Sequence, residues 1–348
     1  MTRVAPITGQ RGVAPRIAAP ARPRAGSGLA AGQAFGLELE GTFRAPGLLE
    51  GEGEAGDGPR RTAIEVVSAR VLDAGWPGTE AIRLYELRDT EGGVRLTIDE
   101  HPALGYRLHA PAYGRYVLSR DGGVVRCAPS RTAPWRWQSF LIGQLLPAAA
   151  VLCGLEILHA SAVVIAGRAV VLTGRSQAGK SSVAINLLRR GTPFLADDVV
   201  ALEATESDVL AHPGPALASV RRSEADAIGT QELGRLGPTI GRDDHEVRLK
   251  IHRSSAPVPL GVLYALERGG EAVETAFEPA SDPRLLLGNR FSSFIAGPER
   301  LTRQLDVYAH VTRTTAMFRV AVPTTVDAAT LAESVHEHAL SRLEGSGR

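Results

Sequence analysis

Lysine and cysteine are both scarce in this sequence of 348 residues. Of the 39 basic residues only two are lysines, Lys180 and Lys250, and arginine supplies the rest. The two cysteines, Cys127 and Cys153, are too few for a disulfide-stabilised scaffold and lack the spacing of metal ligands. A reducing, cytoplasmic setting suits such thiols, which we expect to pack as small apolar side chains.

An excess of charge of one sign is also absent, since the formal net charge is +1. This balance excludes a strongly basic body for nucleic-acid binding. The first 35 residues depart from it, with five arginines and no acidic residue. They are rich in alanine, proline and glycine without a period, so residues 1–35 are predicted to form a disordered basic tail.

Long apolar runs are nearly absent. No signal peptide is visible near the start, because prolines and arginines interrupt every short apolar run. The one long apolar stretch, Phe140–Leu158, contains Gln144, Pro147 and Glu156. That composition favours a buried core helix over a membrane span, so we expect no membrane association.

The length indicates about two folded domains. Residues 36–137 are predicted to form a small β-rich domain, because alternating stretches are separated by glycine-rich turns. The turn Asp121-Gly122-Gly123 predicts a hairpin. The predicted strands include Ala63–Leu72, Ala81–Leu87, Val94–Ile98, Tyr116–Leu118 and Val124–Arg126.

Residues 138–348 alternate between helical and strand patterns, which predicts an α/β domain. Gly261–Leu266 and Val273–Phe277 are predicted to form a hairpin across Gly269-Gly270. The other predicted strands are Ala162–Ile165, Val170–Thr173 and Phe194–Ala196, and the predicted helices are Phe140–Leu158, Lys180–Arg190, Asp282–Ile295, Glu299–Val311 and Val326–Leu343.

The strongest motif is a phosphate-binding loop. The run Gly174-Arg175-Ser176-Gln177-Ala178-Gly179-Lys180-Ser181 fits the pattern G-x-x-x-x-G-K-[ST] between a predicted strand and a helix. Its glycines let backbone amides point at phosphate oxygens, and the helix N-terminus adds a positive dipole end. Lysine and the following serine suit the β- and γ-phosphates and Mg²⁺. We expect these residues and Ser182 to bind ATP.

Two acidic residues and a histidine accompany the loop. Asp197 and Asp198 follow Lys180 by 17 and 18 residues, and the intervening helix and strand return the chain to the loop. One carboxylate can hold Mg²⁺ with Ser181 while the other accepts a proton from an attacking hydroxyl. The spacing does not decide which carboxylate takes which role, and a helix cap or a solvated turn is the alternative. His159 precedes Lys180 by 21 residues and is either a structural histidine or a site residue.

The set His159, Gly174–Ser181 and Asp197-Asp198, together with Arg190-Gly191 and Leu195-Ala196, resembles the catalytic core of the HPr kinase/phosphorylase family. The resemblance implies a P-loop kinase domain of the HPr kinase/PEP carboxykinase-like type that uses ATP and Mg²⁺. It further implies that Asp198 is the general base toward a serine hydroxyl, and that Lys180 and His159 serve the transfer, with His159 orienting or stabilising the transferred group. Asp197 is then the expected Mg²⁺ ligand beside Ser181.

The chain departs from that family beyond the aspartates. The glutamate–arginine–glycine-rich signature expected there is not recognisable, and His212–Leu217 stands after the aspartates instead. The β-rich region does not resemble the regulatory domain of HPr kinases either. The chain more nearly resembles divergent HPr-kinase-like proteins, some of which phosphorylate a serine of a lasso-type precursor peptide. A protein or peptide serine is therefore the expected acceptor.

The second lysine lies in the alternating segment Glu246–Ile251. Lys250 there could reach the γ-phosphate or the acceptor as a second cation, and an exposed strand residue is the alternative. Arg221 and Arg290 are weaker candidates of the same kind.

Three functions are compatible with the loop. A kinase is expected first, for a serine or for a small-molecule hydroxyl. A regulatory or scaffold protein that binds ATP without transfer is the second. A nucleotide-hydrolysing motor or transporter subunit is disfavoured, because it needs a more distant acidic strand and an arginine finger. The sequence leaves the acceptor and a homo-oligomer open.

Overall fold

The computed structural model describes residues 29–52, 60–269, 272–289, 291 and 294–345. Residues 1–28 of the predicted tail and the candidate Arg290 lie outside the described residues. The last part of the predicted tail belongs to a sheet instead, because Ala30–Ala34 forms strand β1 and pairs antiparallel with β2, Leu37–Gly41. Small apolar residues at both ends of β1 are buried, which a composition-based prediction of disorder overlooks.

The N-terminal sheet has nine strands within the described residues, in the order β3-β1-β2-β4-β9-β8-β7-β6-β5. The hairpin predicted at residues 121–123 is confirmed, since β8 and β9 pair antiparallel. The predicted strand Ala63–Leu72 is too long. It ends at Val66, and helix α1 (Ala69–Ala74) begins after Ser68, whose hydroxyl accepts a hydrogen bond from the Val71 amide. The remaining strands are β3 (Gly51–Glu52), β4 (Arg61–Val66), β5 (Ile82–Arg88), β6 (Val94–His101), β7 (Gly105–Ala110), β8 (Gly114–Leu118) and β9 (Val124–Pro129).

The apolar stretch predicted as one helix over Phe140–Leu158 is divided into several elements. Helix α2 (Pro134–Phe140) continues through a π-helical turn, Leu141–Leu145, into α3 (Leu146–Leu152), and β10 (Glu156–Leu158) follows. Gly154, with φ of 95°, lets the chain turn out of the helix into the strand. Among the described residues, no helix is long and apolar enough to cross a membrane.

The second sheet also has nine strands within the described part of the chain. Seven of the strands follow the order β10-β14-β15-β19-β12-β11-β13. Of the other two, β21 pairs with β19, and β20 pairs with β21. Strands β12, β19 and β21 are parallel neighbours, so their carboxyl ends lie at one edge. The strand bounds are β11 (Ser161–Ile165), β12 (Arg168–Gly174), β13 (Phe194–Ala196), β14 (Val200–Ala204), β15 (Val209–His212), β19 (Val258–Arg268), β20 (Ala276–Ala280) and β21 (Ala316–Val322).

Helices cover both faces of this sheet, as in an α/β fold. Helices α4 (Lys180–Arg189) and α9 (Ala328–Gly345) contribute to the core on one face, and α8 (Pro298–Thr314) contributes to the core on the other. The predicted helices at 180–190, 299–311 and 326–343 are therefore confirmed in outline. The helix predicted over Asp282–Ile295 is wrong in extent, since only α7 (Arg284–Leu287) forms there.

The hairpin predicted between Gly261–Leu266 and Val273–Phe277 is wrong. Strand β19 lies between β12 and β21, and β20 pairs with β21. Residues Val262–Leu266 of β19 are nearly completely buried, and burial on both faces requires a central position in the sheet. The local glycine pair at 269–270 signals a turn but does not determine which strand becomes the neighbour.

A small third sheet stands beside the start of α4. It has the order β16-β18-β17, with β16 (Leu217–Arg221), β17 (Thr239–Arg242) and β18 (Glu246–Lys250). Helices α5 (Arg222–Ile228) and α6 (Thr230–Leu236) lie between its first two strands in sequence. The side chains of this sheet and of α5 form one wall of the cleft described next.

Candidate active site

The phosphate loop connects the end of β12 to the start of α4. Gly174 and Gly179 have φ of 137° and 101°, which side-chain-bearing residues rarely adopt. A Cβ atom placed on Gly174 would lie 2.6 Å from the carbonyl oxygen of Leu266, so the close approach of β12 and β19 also requires glycine. The predicted glycine pattern therefore has a steric basis at both positions.

Lys180 lies inside the loop and is only 6% exposed. Its Nζ donates hydrogen bonds to the carbonyl oxygens of Gly174 at 2.9 Å and Arg175 at 3.3 Å. Burial lowers the pKa of this ammonium group, and the nearby carboxylates of Asp198 and Asp197 oppose that shift. The Nζ atom of Lys180 therefore lies at the loop, where the β- and γ-phosphates of a nucleotide are expected.

The first cleft, with a volume of about 880 Å³, opens over this loop. Eight predicted site residues line it together: His159, Ser176, Gln177, Gly179, Lys180, Ser181, Ser182 and Asp198. The hydroxyl of Ser182 donates a hydrogen bond of 2.7 Å to Glu224 of α5, which ties α4 to the opposite wall.

The two aspartates face different surroundings. The Asp197 carboxylate accepts a hydrogen bond from the Ser161 hydroxyl at 2.8 Å and one from the Ser219 amide at 3.3 Å. Asp198 has φ of 62°, in the left-handed region, and its side chain lines the cleft. Asp197 is not a lining residue of this cleft, so its assignment as a magnesium ligand stays a prediction.

The carboxyl group of Asp198 has a raised pKa. The negative charge of Asp197, and then burial, raise the pKa of Asp198 to about 7, although Arg248 and Lys180 favour its charged form. The Asp198 side chain is open to solvent through the cleft. The adjacent charge of Asp197 is therefore the cause that matters most. A carboxyl group that titrates near neutral pH is suited to accept a proton.

Asn289, which the sequence analysis did not single out, links His159 to the start of the phosphate loop. The His159 backbone amide donates a hydrogen bond of 2.7 Å to the carbonyl oxygen of Asn289, and the side-chain oxygen of Asn289 accepts one of 3.0 Å from the Gly174 amide. Burial lowers the pKa of the His159 imidazole, which favours its neutral form, although a hydrogen bond to the Asp198 backbone opposes the shift.

Arg248 and Arg221 lie on the third sheet near the cleft. The Arg248 guanidinium donates hydrogen bonds to Ser219 and Ser139 at 3.2 and 2.6 Å and favours the charged form of Asp198. Arg221 lines the cleft directly. Alternation along β18 places Arg248 and Lys250 on the same face, but the sequence contained no signal to prefer the arginine.

Lys250 is placed away from the cleft. Its Nζ forms an ion pair of 2.7 Å with Glu50, next to the N-terminal sheet. Nearby, the Phe35 amide donates a hydrogen bond to the Pro213 carbonyl, and the Ala216 amide donates one to Gly47. Lys250 therefore takes part in the contact between the N-terminal sheet and the third sheet, and does not line the cleft where a γ-phosphate is expected.

The residues present fit a nucleoside triphosphate and its Mg²⁺. The loop supplies amides and a cation, and the Ser181 hydroxyl has no hydrogen-bond partner among the described residues. The structure, over the residues it describes, has no cluster of three or more His, Cys, Asp or Glu side chains that could hold a metal alone. Mg²⁺ commonly binds through one or two protein oxygens and the substrate phosphates, and the Ser181 hydroxyl would supply one such oxygen.

Comparison with known proteins identifies the core around this loop. Residues 151–222 match the family model described as HPr Serine kinase C-terminal domain. The HPr kinase/phosphorylase of Bacillus mycoides is 36% identical over 102 residues, which are 28% of this chain and 31% of that protein. The corresponding protein of Bacillus cereus strain B4264 is 34% identical over 102 residues, with the same coverage of 28% and 31%.

The chain thus spans about a third of the length of the curated relatives it matches, since 31% of each is covered. Among solved structures, the HPr(Ser) kinase/phosphatase of Coxiella burnetii shows 13% identity and a TM-score of 0.30, covering 55% of this chain and 94% of that one. The family resemblance rests on the sequence matches. Over the part of the chain that holds His159, the phosphate loop and the aspartate pair, this protein is similar to the HPr Serine kinase C-terminal domain.

Proposed function

We propose that this protein is an ATP- and Mg²⁺-dependent kinase that transfers the γ-phosphate to a serine hydroxyl of a protein or peptide. The observation that carries the proposal is that Lys180 and Ser181 of the phosphate loop line the same cleft as Asp198, a carboxyl group with a pKa near neutral. Such a pair supplies the two things that phosphoryl transfer requires, which are charge stabilisation and removal of a proton.

The loop would hold the phosphates through its amides and through Lys180. The Ser181 hydroxyl, with Asp197 as the predicted second ligand, would hold Mg²⁺, and a bound Mg²⁺ would neutralise charge on the phosphate oxygens. At a pH above its raised pKa, Asp198 would be ionised. It would accept the proton of the serine hydroxyl while the serine oxygen bonds to the γ-phosphorus. The bond from that phosphorus to the bridging oxygen breaks at the same time, and ADP leaves.

His159 and Asn289 would position these groups. The Asn289 side chain holds the first amide of the loop, and its backbone carbonyl holds His159. Because the pKa of the imidazole is lowered, His159 is neutral near pH 7 and can orient the transferred group without repelling Lys180. The cytoplasm, where ATP and reduced thiols are available, is the proposed location.

The direct test is transfer of label from γ-labelled ATP to serine-bearing proteins and peptides. Asp198→Asn should abolish the transfer, whereas the matched change Asp208→Asn should not. Asp208 lies in the turn between β14 and β15 and pairs with Arg168, outside the cleft. Equal rates for wild type and Asp198→Asn would contradict the assigned base.

An ATP-binding regulatory protein is the alternative that the same loop allows. It predicts nucleotide binding without ADP formation, whatever acceptor is supplied, and unchanged binding after His159→Ala. A kinase for a small-molecule hydroxyl instead predicts ADP formation with small acceptors and none with serine peptides. Small hydroxyl acceptors and a measurement of ADP, added to the assay above, therefore separate all three functions.

A further inference from the structure

Arg268 approaches the phosphate loop from the neighbouring strand. It is the last residue of β19, and Leu266, two residues earlier, pairs with Gly174 at the end of β12. A Cβ atom placed on Gly179 would meet the Nη2 atom of Arg268 at 3.8 Å. The guanidinium group is thus held beside the loop by the parallel register of two central strands.

The second cleft, with a volume of about 1150 Å³, lies along the side of the loop that includes Gly174 and Arg175, and Arg268 lines it. His159, Ser176 and Gln177 line both clefts, so the two meet at the head of the loop. The Arg268 side chain therefore faces space that is continuous with the predicted phosphate site.

The guanidinium of Arg268 has no carboxylate partner among the described residues. Its Nη1 donates to the carbonyl oxygens of Val326 at 2.8 Å and Pro323 at 3.5 Å. The adjacent acidic residue, Glu267, pairs with Arg319 instead, at 2.9 Å. The side chain is half-buried. A partly buried cation without a counter-ion is unfavourable unless an anion completes its surroundings.

We propose that Arg268 is a phosphate-binding residue, and that its guanidinium contacts the phosphate chain of the nucleotide beside Lys180. The proposal deepens the proposed function, on which it rests, by assigning the second cation of the transfer site. The carbonyl contacts of Val326 and Pro323 fix the orientation of the planar group, so that Nη2 and Nε remain available to phosphate oxygens.

The test compares Arg268→Gln with Arg319→Gln by calorimetric titration with ATP and with inorganic tripolyphosphate. Arg319 is a suitable control because it is also half-buried, lies on the adjacent strand β21 and lines neither cleft. We expect Arg268→Gln to weaken the binding of both ligands about ten- to a hundredfold, as for a lost charged hydrogen bond. Arg319→Gln should leave both affinities unchanged.

Unchanged affinity in Arg268→Gln, or a lowered melting temperature without lowered affinity, would overturn the proposal in favour of a purely structural arginine. If Arg268→Gln does not fold, the wild-type protein is treated with an arginine-selective dicarbonyl reagent. Tripolyphosphate should then protect Arg268 but not Arg319 from modification, as mapped by mass spectrometry, and equal modification would overturn the proposal.

The titrations also separate this proposal from the function on which it rests. Arg268-dependent binding of tripolyphosphate without any phosphoryl transfer from ATP would contradict the kinase and retain the anion site. Absence of binding of both ligands to the wild-type protein would overturn both. Transfer from ATP that does not depend on Arg268 would retain the kinase alone.

Discussion

Asp197 and Asp198 are adjacent in the chain, yet the first is held by the protein and the second faces the cleft. Two hydrogen bonds, from the Ser161 hydroxyl at 2.8 Å and the Ser219 amide at 3.3 Å, fix the Asp197 carboxylate. The charge fixed in this way raises the pKa of Asp198 to about 7. The two carboxyl groups therefore have different surroundings, which the sequence Asp-Asp does not reveal.

The rate of phosphoryl transfer should rise with pH through about 7, because Asp198 accepts a proton only when it is ionised. Asp197→Asn removes the negative charge and keeps one of the two acceptor oxygens that Ser161 and Ser219 use. It should therefore shift the midpoint of the pH–rate profile to lower pH. Profiles of kcat/KM for wild type and Asp197→Asn measure this shift, and identical midpoints would show that Asp197 does not set the pKa.

Asp198→Asn should stabilise the metal-free protein at alkaline pH. The folded-state pKa of Asp198 is raised from 3.8 to about 7, so the contribution of this group to stability is present below about 3.8 and is lost as the pH rises through about 7. The melting temperature of Asp198→Asn should exceed that of wild type at pH 8, and the difference should shrink toward pH 4. A gain that is independent of pH would contradict this origin.

Asn289→Ala should weaken ATP binding about tenfold, since it removes the acceptor that holds the Gly174 amide at the start of the loop. The measurement is calorimetric titration, with the melting temperature as a control for folding. If affinity for ATP stays at the wild-type value, the hydrogen bond does not position the loop.

Lys250→Arg should leave phosphoryl transfer unchanged, because Lys250 pairs with Glu50 away from the cleft. Both side chains are exposed enough to make the pair weak, so Lys250→Met and Glu50→Gln should each cost less than about 1 kcal/mol of unfolding free energy. Denaturant titration and the transfer assay measure these two effects. A large loss of transfer rate in Lys250→Arg would return this residue to the active site.

The part of the site that local sequence encodes was predictable. A phosphate loop needs a strand, glycines with positive φ and a helix start, and all three are contiguous between residues 168 and 189. Asp198 and His159 were identified by their spacing from Lys180 and by a family resemblance. Their placement in one cleft follows from the order of β11, β12 and β13, which the sequence did not show directly.

The remaining site residues depend on long-range pairing. Arg268 lies beside the loop because β19 is the neighbour of β12, and the local turn signal at residues 269–270 predicted a different neighbour. Asn289 contacts the Gly174 amide from 115 residues farther along the chain. Arg248 was one of 37 arginines in the sequence, without a motif to distinguish it. The rarity of lysine drew attention to Lys180, which lines the first cleft, and to Lys250, which takes part in a contact with the N-terminal sheet instead.

The central claim is tested most directly by incubating the protein with γ-labelled ATP, Mg²⁺ and a panel of serine-bearing peptides and proteins. The account predicts label on a serine hydroxyl and an equal amount of ADP with wild type, and neither with Asp198→Asn. Tight ATP binding with no ADP formed, across the panel, would contradict the kinase and support a nucleotide-binding regulatory protein.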